Sequence, residues 1–227
     1  MHDIEIRPEI IARVMARRGR LHLFEKLTPA KTALVVIDMQ NTFLRPGAPV
    51  EVPKGREIVA NINRLSARLR AIGVPVIWVT HANGSTDDKS DWPGFFDYFV
   101  AAEVRQKTID GLAPGAEGQK IWPDLDVSPE DAQIFKNRYS ALIAGSSSLE
   151  SLLRRDDIDT LLIAGTKTNV CCESTARDAM MLDFNTVMLS DCCAALSDEE
   201  HRATLEIIIQ QFGDVMTLDE ALAALEK

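Results

Sequence analysis

Short runs of apolar, β-favouring residues alternate with stretches of helical period along most of the chain. The runs are Thr32–Asp38 (TALVVID), Val74–Thr80 (VPVIWVT), Asp131–Phe135 (DAQIF), Thr160–Gly165 (TLLIAG), Thr186–Ser190 (TVMLS) and Asp214–Thr217 (DVMT). Several are apolar at every position rather than at every second one, which predicts strands buried on both faces of a parallel sheet. Between them, Ile58, Ile62, Leu65, Leu69 and Ile72 step by 4, 3, 4 and 3. That is one stripe of a helix, and Gly73 supplies its C-terminal stop. Three later helices are predicted from a Ser or Thr followed three residues on by Glu, the pattern of a capping box: Ser147/Glu150, Ser197/Glu200 and Thr217/Glu220. Leu205, Ile208, Ile209 and Phe212 mark the core face of the second, and another helix is expected over Glu173–Leu182. Strands alternating with helices imply right-handed βαβ units. The expected fold class is α/β, a three-layer α/β/α sandwich around a central, mostly parallel sheet.

Two segments break the rhythm. Residues 1–30 form an N-terminal extension, a short helix and a connector, leaving 31–227 as one domain. Residues 81–130 hold a helix near Phe95–Arg105 and little other periodicity. An irregular stretch of that length is often functional, and it reads as a pocket wall or lid.

Composition narrows the function classes. Of 227 residues, 46% are hydrophobic and 26% charged, the balance of a folded globular protein. No apolar run approaches the roughly 18 residues of a membrane helix, and the N-terminus lacks the apolar stretch of a signal peptide, so a cytoplasmic protein without membrane partners is expected. Lys and Arg total 25 against 34 Asp and Glu, a net charge of −9, which argues against nucleic acid as a partner. The one basic cluster, Arg13, Arg17, Arg18 and Arg20, reads as a solvated helix face. The four cysteines form two adjacent pairs, Cys171-Cys172 and Cys192-Cys193, without C-x-x-C spacing. That suits neither a disulfide scaffold nor a zinc site; a reducing compartment and no cofactor are the expectation.

In an open parallel sheet, ligands bind beyond the carboxyl ends of the strands. Asp38 ends the first run, Lys136 follows the third, and Cys171 lies just past the fourth, where a helix begins. An acid, a cation and a thiol thus converge on one rim. At a helix N-terminus the thiolate of Cys171 would be stabilised by the dipole, and free backbone N–H groups could hold an oxyanion. Cys172 reads as packing, Asp178 and Asp191 as helix caps or braces. Taken singly, Asp38 could equally cap a turn and Lys136 could be a surface lysine.

Three segments, ALVVIDMQNTF, KNRYSAL and AGTKTNVCCESTARDAMMLDF, resemble the signature segments of the isochorismatase-like cysteine hydrolases in order, spacing and strand-end context. The similarity spans about residues 30 to 227, and the chain looks most like members that act as ureidoacrylate amidohydrolases. The resemblance implies the isochorismatase-like hydrolase fold and a catalytic triad of Asp38, Lys136 and Cys171. It also implies a non-proline cis peptide at Thr166–Lys167, with the backbone N–H groups of Lys167 and Cys171 as oxyanion hole. In the mechanism so implied, Asp38 takes the thiol proton, the thiolate attacks an amide or ureide carbonyl, and a thioester is hydrolysed after ammonia or an amine departs. Relatives are commonly homodimers or homotetramers.

The chain departs from the family in two places. Nicotinamidases carry an Asp/His metal site; here the equivalent stretches read VEVPKGRE and VTHANGSTD, so only His81 remains and no metal is expected. Most relatives have a small apolar residue where Lys167 stands; its side chain could pack, or could supply a cation to the pocket. Phe43, Trp78, Asn83, Trp92, Phe95, Arg138 and Tyr139 are candidates for binding a small-molecule substrate, Arg138 through a substrate carboxylate. His2, His22 and His201 carry no catalytic pattern. Competing readings are hydrolysis of a vinyl ether or ester and a non-catalytic thiol sensor. A dinucleotide site is discounted because MQNTF, not G-x-G-x-x-G, follows the first run.

Overall fold

A computed structural model describes residues 1–86 and 89–226; Asp87, the last residue of VTHANGSTD, lies outside the described residues together with Asp88 and Lys227. In chain order the elements are helix α1 (Pro8–Arg18), strand β1 (Thr32–Ile37), helices α2 (Asn41–Leu44) and α3 (Val59–Ala71), strand β2 (Val76–His81), and a small hairpin of β3 (Ser85–Thr86) and β4 (Lys89–Ser90). Then come α4 (Pro93–Phe96), α5 (Ala102–Leu112), β5 (Ala132–Lys136), α6 (Leu149–Arg155), β6 (Thr160–Thr166), α7 (Glu173–Met181), β7 (Asn185–Ala194), α8 (Asp198–Ile207), β8 (Asp214–Met216) and α9 (Leu218–Leu225). Six strands form one sheet in the order β5-β2-β1-β6-β7-β8, with every pairing parallel. From β1 the chain builds outward through β2 to β5, then crosses back to start the other half at β6. The order therefore reverses between β1 and β6, and at such a switch point the loops at the carboxyl ends diverge and leave a crevice.

The continuous apolar runs are explained by helices on both faces. Leu34, Val36 and Trp78 face Ile62, Leu65 and Leu69 of α3 and Leu218 and Leu222 of α9. Val35, Ile37 and Val79 face α6, α7 and α8 through Leu149, Leu153, Ala176 and Leu205. Each strand still alternates, but between two cores.

Several predicted details differ. The boxes Ser197/Glu200 and Thr217/Glu220 form, whereas Ser147/Glu150 does not. The Ser147 hydroxyl instead donates to the Ala141 carbonyl at 2.6 Å and accepts from the Leu149 N–H, which bends the chain one residue before α6 starts. Ile72 falls beyond α3 and is 40% exposed. Gly73, at φ 78°, lets the chain turn back so that the Val74 N–H bonds to the Leu69 carbonyl. The helix expected near Phe95–Arg105 is two helices, α4 and α5, the second reaching Leu112. Helix α8 stops at Ile207 and continues as a π-helical turn over Ile208–Phe212.

That turn explains the basic cluster, which is more than a solvated face. Arg17 and Arg18 donate to the Gln210 and Ile209 carbonyls, and Arg13 to the Gln210 side chain. Carbonyls at a helix end lack intrahelical partners and carry partial negative charge, so arginines from α1 clamp them. The first residues are fastened too. His2 stacks on His201 at 4.1 Å and accepts from the Ala195 N–H at 2.9 Å. Asp191 accepts from the Leu218 N–H at 2.8 Å, bracing the start of α9. Among the described residues no helix is long and apolar enough to cross a membrane.

Candidate active site

Asp38 follows the last residue of β1 and takes a left-handed backbone, φ 52°, a conformation Asp tolerates better than most residues. Its N–H donates to the Val79 carbonyl and its own carbonyl accepts from the Thr166 hydroxyl at 2.9 Å, so β2 and β6 hold it from both sides. This approach depends on Gly165. At φ 117°, a Cβ there would sit 2.0 Å from the Ile37 carbonyl oxygen. Lys136 is the last residue of β5, not the residue after it. Cys171 lies in a π-helical turn, Thr168–Cys172, that leads into α7. The Thr166–Lys167 peptide before this turn is cis.

The three side chains meet in the interior. Lys136 Nζ is 2.8 Å from Asp38 Oδ2, with both side chains at most 1% exposed. An ammonium has three donor directions. The other two are taken by His81 Nδ1 and the Arg138 carbonyl, each at 3.1 Å. Cys171, 6% exposed, interacts with both charged groups.

The electrostatics correct one expectation. Burial, and then the nearby Asp38 carboxylate, push the Cys171 thiol well above its ordinary value, more than Lys136 lowers it. The resting group is therefore a thiol, because desolvation in the interior disfavours the thiolate. Burial also raises Asp38, with Lys136 opposing. For Lys136 burial works against the charge, but Asp38 and Cys171 more than compensate, and the group is held cationic.

A chain of hydrogen bonds backs this centre. His81 Nε2 is 2.6 Å from Asn83 Oδ1, and Asn83 Nδ2 donates to Asp91 Oδ1 at 2.8 Å. With its Nδ1 facing an ammonium, His81 must carry its proton on Nε2. Burial first, and then Lys136, keep it neutral far below its usual range. Both ring nitrogens are occupied, so His81 has no lone pair free for a metal. Among the described residues no group of three or more His, Cys, Asp or Glu stands close enough to hold one.

Beside the triad lies a cavity of about 380 Å³. Asp38 and Cys171 are on its wall, as are Phe43, Asn83, Trp92, Phe95 and Tyr139 among the predicted binding residues. Trp92 packs on Phe95 at 4.9 Å and edge-on to Tyr139 at 4.7 Å, so the loop of residues 81–130 supplies an aromatic side of the cavity. Asn83 touches the cavity, but its amide is spent on His81 and Asp91. Trp78 is not on the wall; it is buried under α3 and donates to Asp131. Nor is Arg138, whose guanidinium lies 5.2 Å over Trp92 and donates to the Asn137 and Asp91 carbonyls. Lys167 does reach the wall, and sequence reasoning missed Glu51, Val170 and Leu196 there. Only Val170 carried a signal, its place beside Cys171. Glu51 and Leu196 come from connectors whose approach depends on the whole fold.

Residues 32–220 match the family model described as the isochorismatase domain. The chain belongs to the isochorismatase family. This isochorismatase-family hydrolase is 33% identical over 205 residues to the isochorismatase family protein YecD of Escherichia coli O157:H7, covering 88% of the chain and 99% of YecD. It is 32% identical over 207 residues to the ureidoacrylate amidohydrolase RutB of Pseudomonas syringae pv. syringae, covering 86% of the chain and 84% of RutB. A crystal structure of a cysteine hydrolase from Pseudomonas syringae pv. phaseolicola superposes with a TM-score of 0.78 at 30% identity, covering 88% and 94% of the two chains.

Proposed function

We propose that this hydrolase cleaves a C–N bond in a small amide or ureide, with Cys171 as nucleophile, through a thioester. The observation that carries the reading is the burial of Asp38, Lys136 and Cys171 against one another, with Asp38 and Cys171 on the wall of a small, mostly apolar cavity. Similarity to an amidohydrolase, RutB, supports the bond type. Because the thiol is protonated at rest, its proton passes to Asp38 as Sγ attacks the carbonyl carbon. Lys136 stays charged, which holds Asp38 in place and offsets the negative charge that develops at sulfur. The backbone N–H groups of Lys167 and Cys171 receive the oxyanion. The protonated Asp38 then gives its proton to the departing nitrogen, which leaves as ammonia or an amine. A water that loses its proton to Asp38 hydrolyses the thioester and restores the thiol. With a ureide that expels its amine, the acid released is carbamate, which decays to ammonia and carbon dioxide; where ammonia leaves first, the substituted carbamate decays to the amine and carbon dioxide. A sensor thiol would need exposure and an easily formed thiolate, and Cys171 has neither.

The test is ammonia release from a panel of ureides and carboxamides, with Cys171→Ala beside the unaltered enzyme. Release that depends on Cys171 is expected. Undiminished release by Cys171→Ala would sink the scheme, and a product without ammonia or amine would move the reading to an ester or vinyl ether.

A further inference from the structure

Four of the residues that line the cavity are Asp, Glu, His or Lys: Asp38, Glu51, His81 and Lys167. Three of them are answered. Asp38 has Lys136 at 2.8 Å. Glu51 accepts from the Gly47 N–H at 2.7 Å and from Arg56 at 2.8 Å. His81 is neutral, with both ring nitrogens engaged. Lys167 differs: among the described residues no carboxylate stands within ion-pair distance of its ammonium.

Its main chain is held on the side facing the nucleophile. The Lys167 carbonyl accepts the N–H groups of Val170 at 3.1 Å and Cys172 at 3.2 Å. The side chain therefore starts from a fixed point one turn before Cys171. The wall around it is mostly apolar, with Phe43, Phe95 and Val170 among its members. Against such a surface an unpaired ammonium is screened less than it would be in open water. The protein as a whole carries a net charge of −9, so this positive spot is local and not part of a basic surface.

We propose that Lys167 is a specificity-determining residue of the cavity: it receives a carboxylate carried by the substrate, so anionic amides or ureides are preferred over neutral ones. Fixing the carboxylate at Lys167 also places the rest of a short substrate next to Cys171, one turn away. A charge-assisted bond to the ammonium answers a cation on the wall that has no carboxylate partner among the described residues. The identity of the scissile bond rests on the amidohydrolase reading, whereas the preference for a negative group does not.

The test compares two near-isosteric ligands, 3-ureidopropionate and 3-ureidopropionamide, by calorimetry on the full chain carrying Cys171→Ala, so that turnover cannot interfere. The carboxylate is expected to bind about tenfold or more tightly than the amide, the scale of one charge-assisted contact. Adding Lys167→Met is expected to erase that preference while leaving affinity for the amide unchanged, which also reports an intact cavity. Lys167→Arg is expected to retain the preference, and added salt to reduce it. Equal affinity for the two ligands, no measurable binding of the carboxylate, or a preference that survives Lys167→Met would each overturn the proposal. If the charge preference holds while the unaltered enzyme releases no ammonia from any ureide, the amidohydrolase reading fails and the assignment of Lys167 stands.

Discussion

Two aspartates, Asp38 and Asp214, are almost wholly buried at opposite ends of the same sheet, and they live in different chemical company. Asp214 opens β8. Its oxygens accept from the N–H groups of Leu23, Phe24 and Val215 and pair with His22 Nδ1 at 3.1 Å. That carboxylate is saturated by fixed donors and stitches the connector before β1 to the sheet edge. Asp38 follows β1 at the other end and relies on one ammonium, a thiol and the backbone N–H of His81 beside a cavity. A buried acid ringed by backbone amides is a structural tie. A buried acid with a single strong partner and an open side keeps the capacity to take and return a proton. Burial alone does not separate the two; the donor count and the neighbouring space do.

The largest expected effect breaks the open side of this contrast. Asp38→Asn should lower kcat/KM by about a thousandfold or more, since it removes the proton acceptor. It should also destabilise the fold by about 3–5 kcal/mol in denaturant titrations, because Lys136 is left buried without its counter-charge. The matching change at the closed end, Asp214→Asn, should cost about 2 kcal/mol of stability while the folded fraction keeps its kcat/KM. A loss of catalysis there, with stability intact, would erase the distinction.

A smaller effect sharpens it. His81→Phe removes the acceptor on which one Lys136 donor rests and breaks the run to Asn83 and Asp91. We expect kcat to fall about ten- to a hundredfold with KM little changed, as for a group that acts mainly by positioning Lys136. The acid limb of kcat/KM in the unaltered enzyme should lie above the 3.8 of a free aspartate side chain, because burial raises Asp38 and the base must be ionised to act. A limb at or below that value would contradict the buried-base assignment.

The smallest effect concerns the closed end alone. The hydrogen bond to Asp214 raises His22 above its ordinary 6.5, against the opposing effect of burial. A raised folded-state value means that protonated His22 favours the folded form. Its contribution is complete below pH 6.5 and is lost as pH rises through the raised value. Melting temperature followed across that interval should decline slightly in the unaltered protein and be flatter in His22→Gln, with activity profiles superimposable.

Much of this was legible in the chain. Apolar, β-favouring runs marked all six sheet strands; in β1, β2 and β6 burial on both faces removes the polar alternation, whereas edge strand β5 stays partly exposed. The strand-end positions of Asp38, Lys136 and Cys171 pointed to one rim, which the structure brings together. The protonation of Cys171 was not legible, because it depends on desolvation by segments distant in sequence. Arg138 was misplaced for a similar reason: its neighbour Tyr139 faces the cavity, while the guanidinium turns onto Trp92, and no local pattern decides between those directions. Ser147 met the capping-box pattern but found a nearer carbonyl at Ala141. Glu51 and Leu196 reach the cavity through connectors whose spacing encodes nothing about where they end.

The central claim is that Cys171 becomes acylated in the course of C–N cleavage. Its most direct measurement is acid quench of enzyme mixed with a ureide or amide that it turns over, followed by intact-mass and peptide mass analysis. The account predicts an adduct with the mass of the substrate acyl group on the peptide containing Cys171, absent in Cys171→Ala and formed far more slowly in Asp38→Asn. A burst of ammonia equal to the enzyme present, with the acyl group on another residue and Cys171 unmodified, would contradict it.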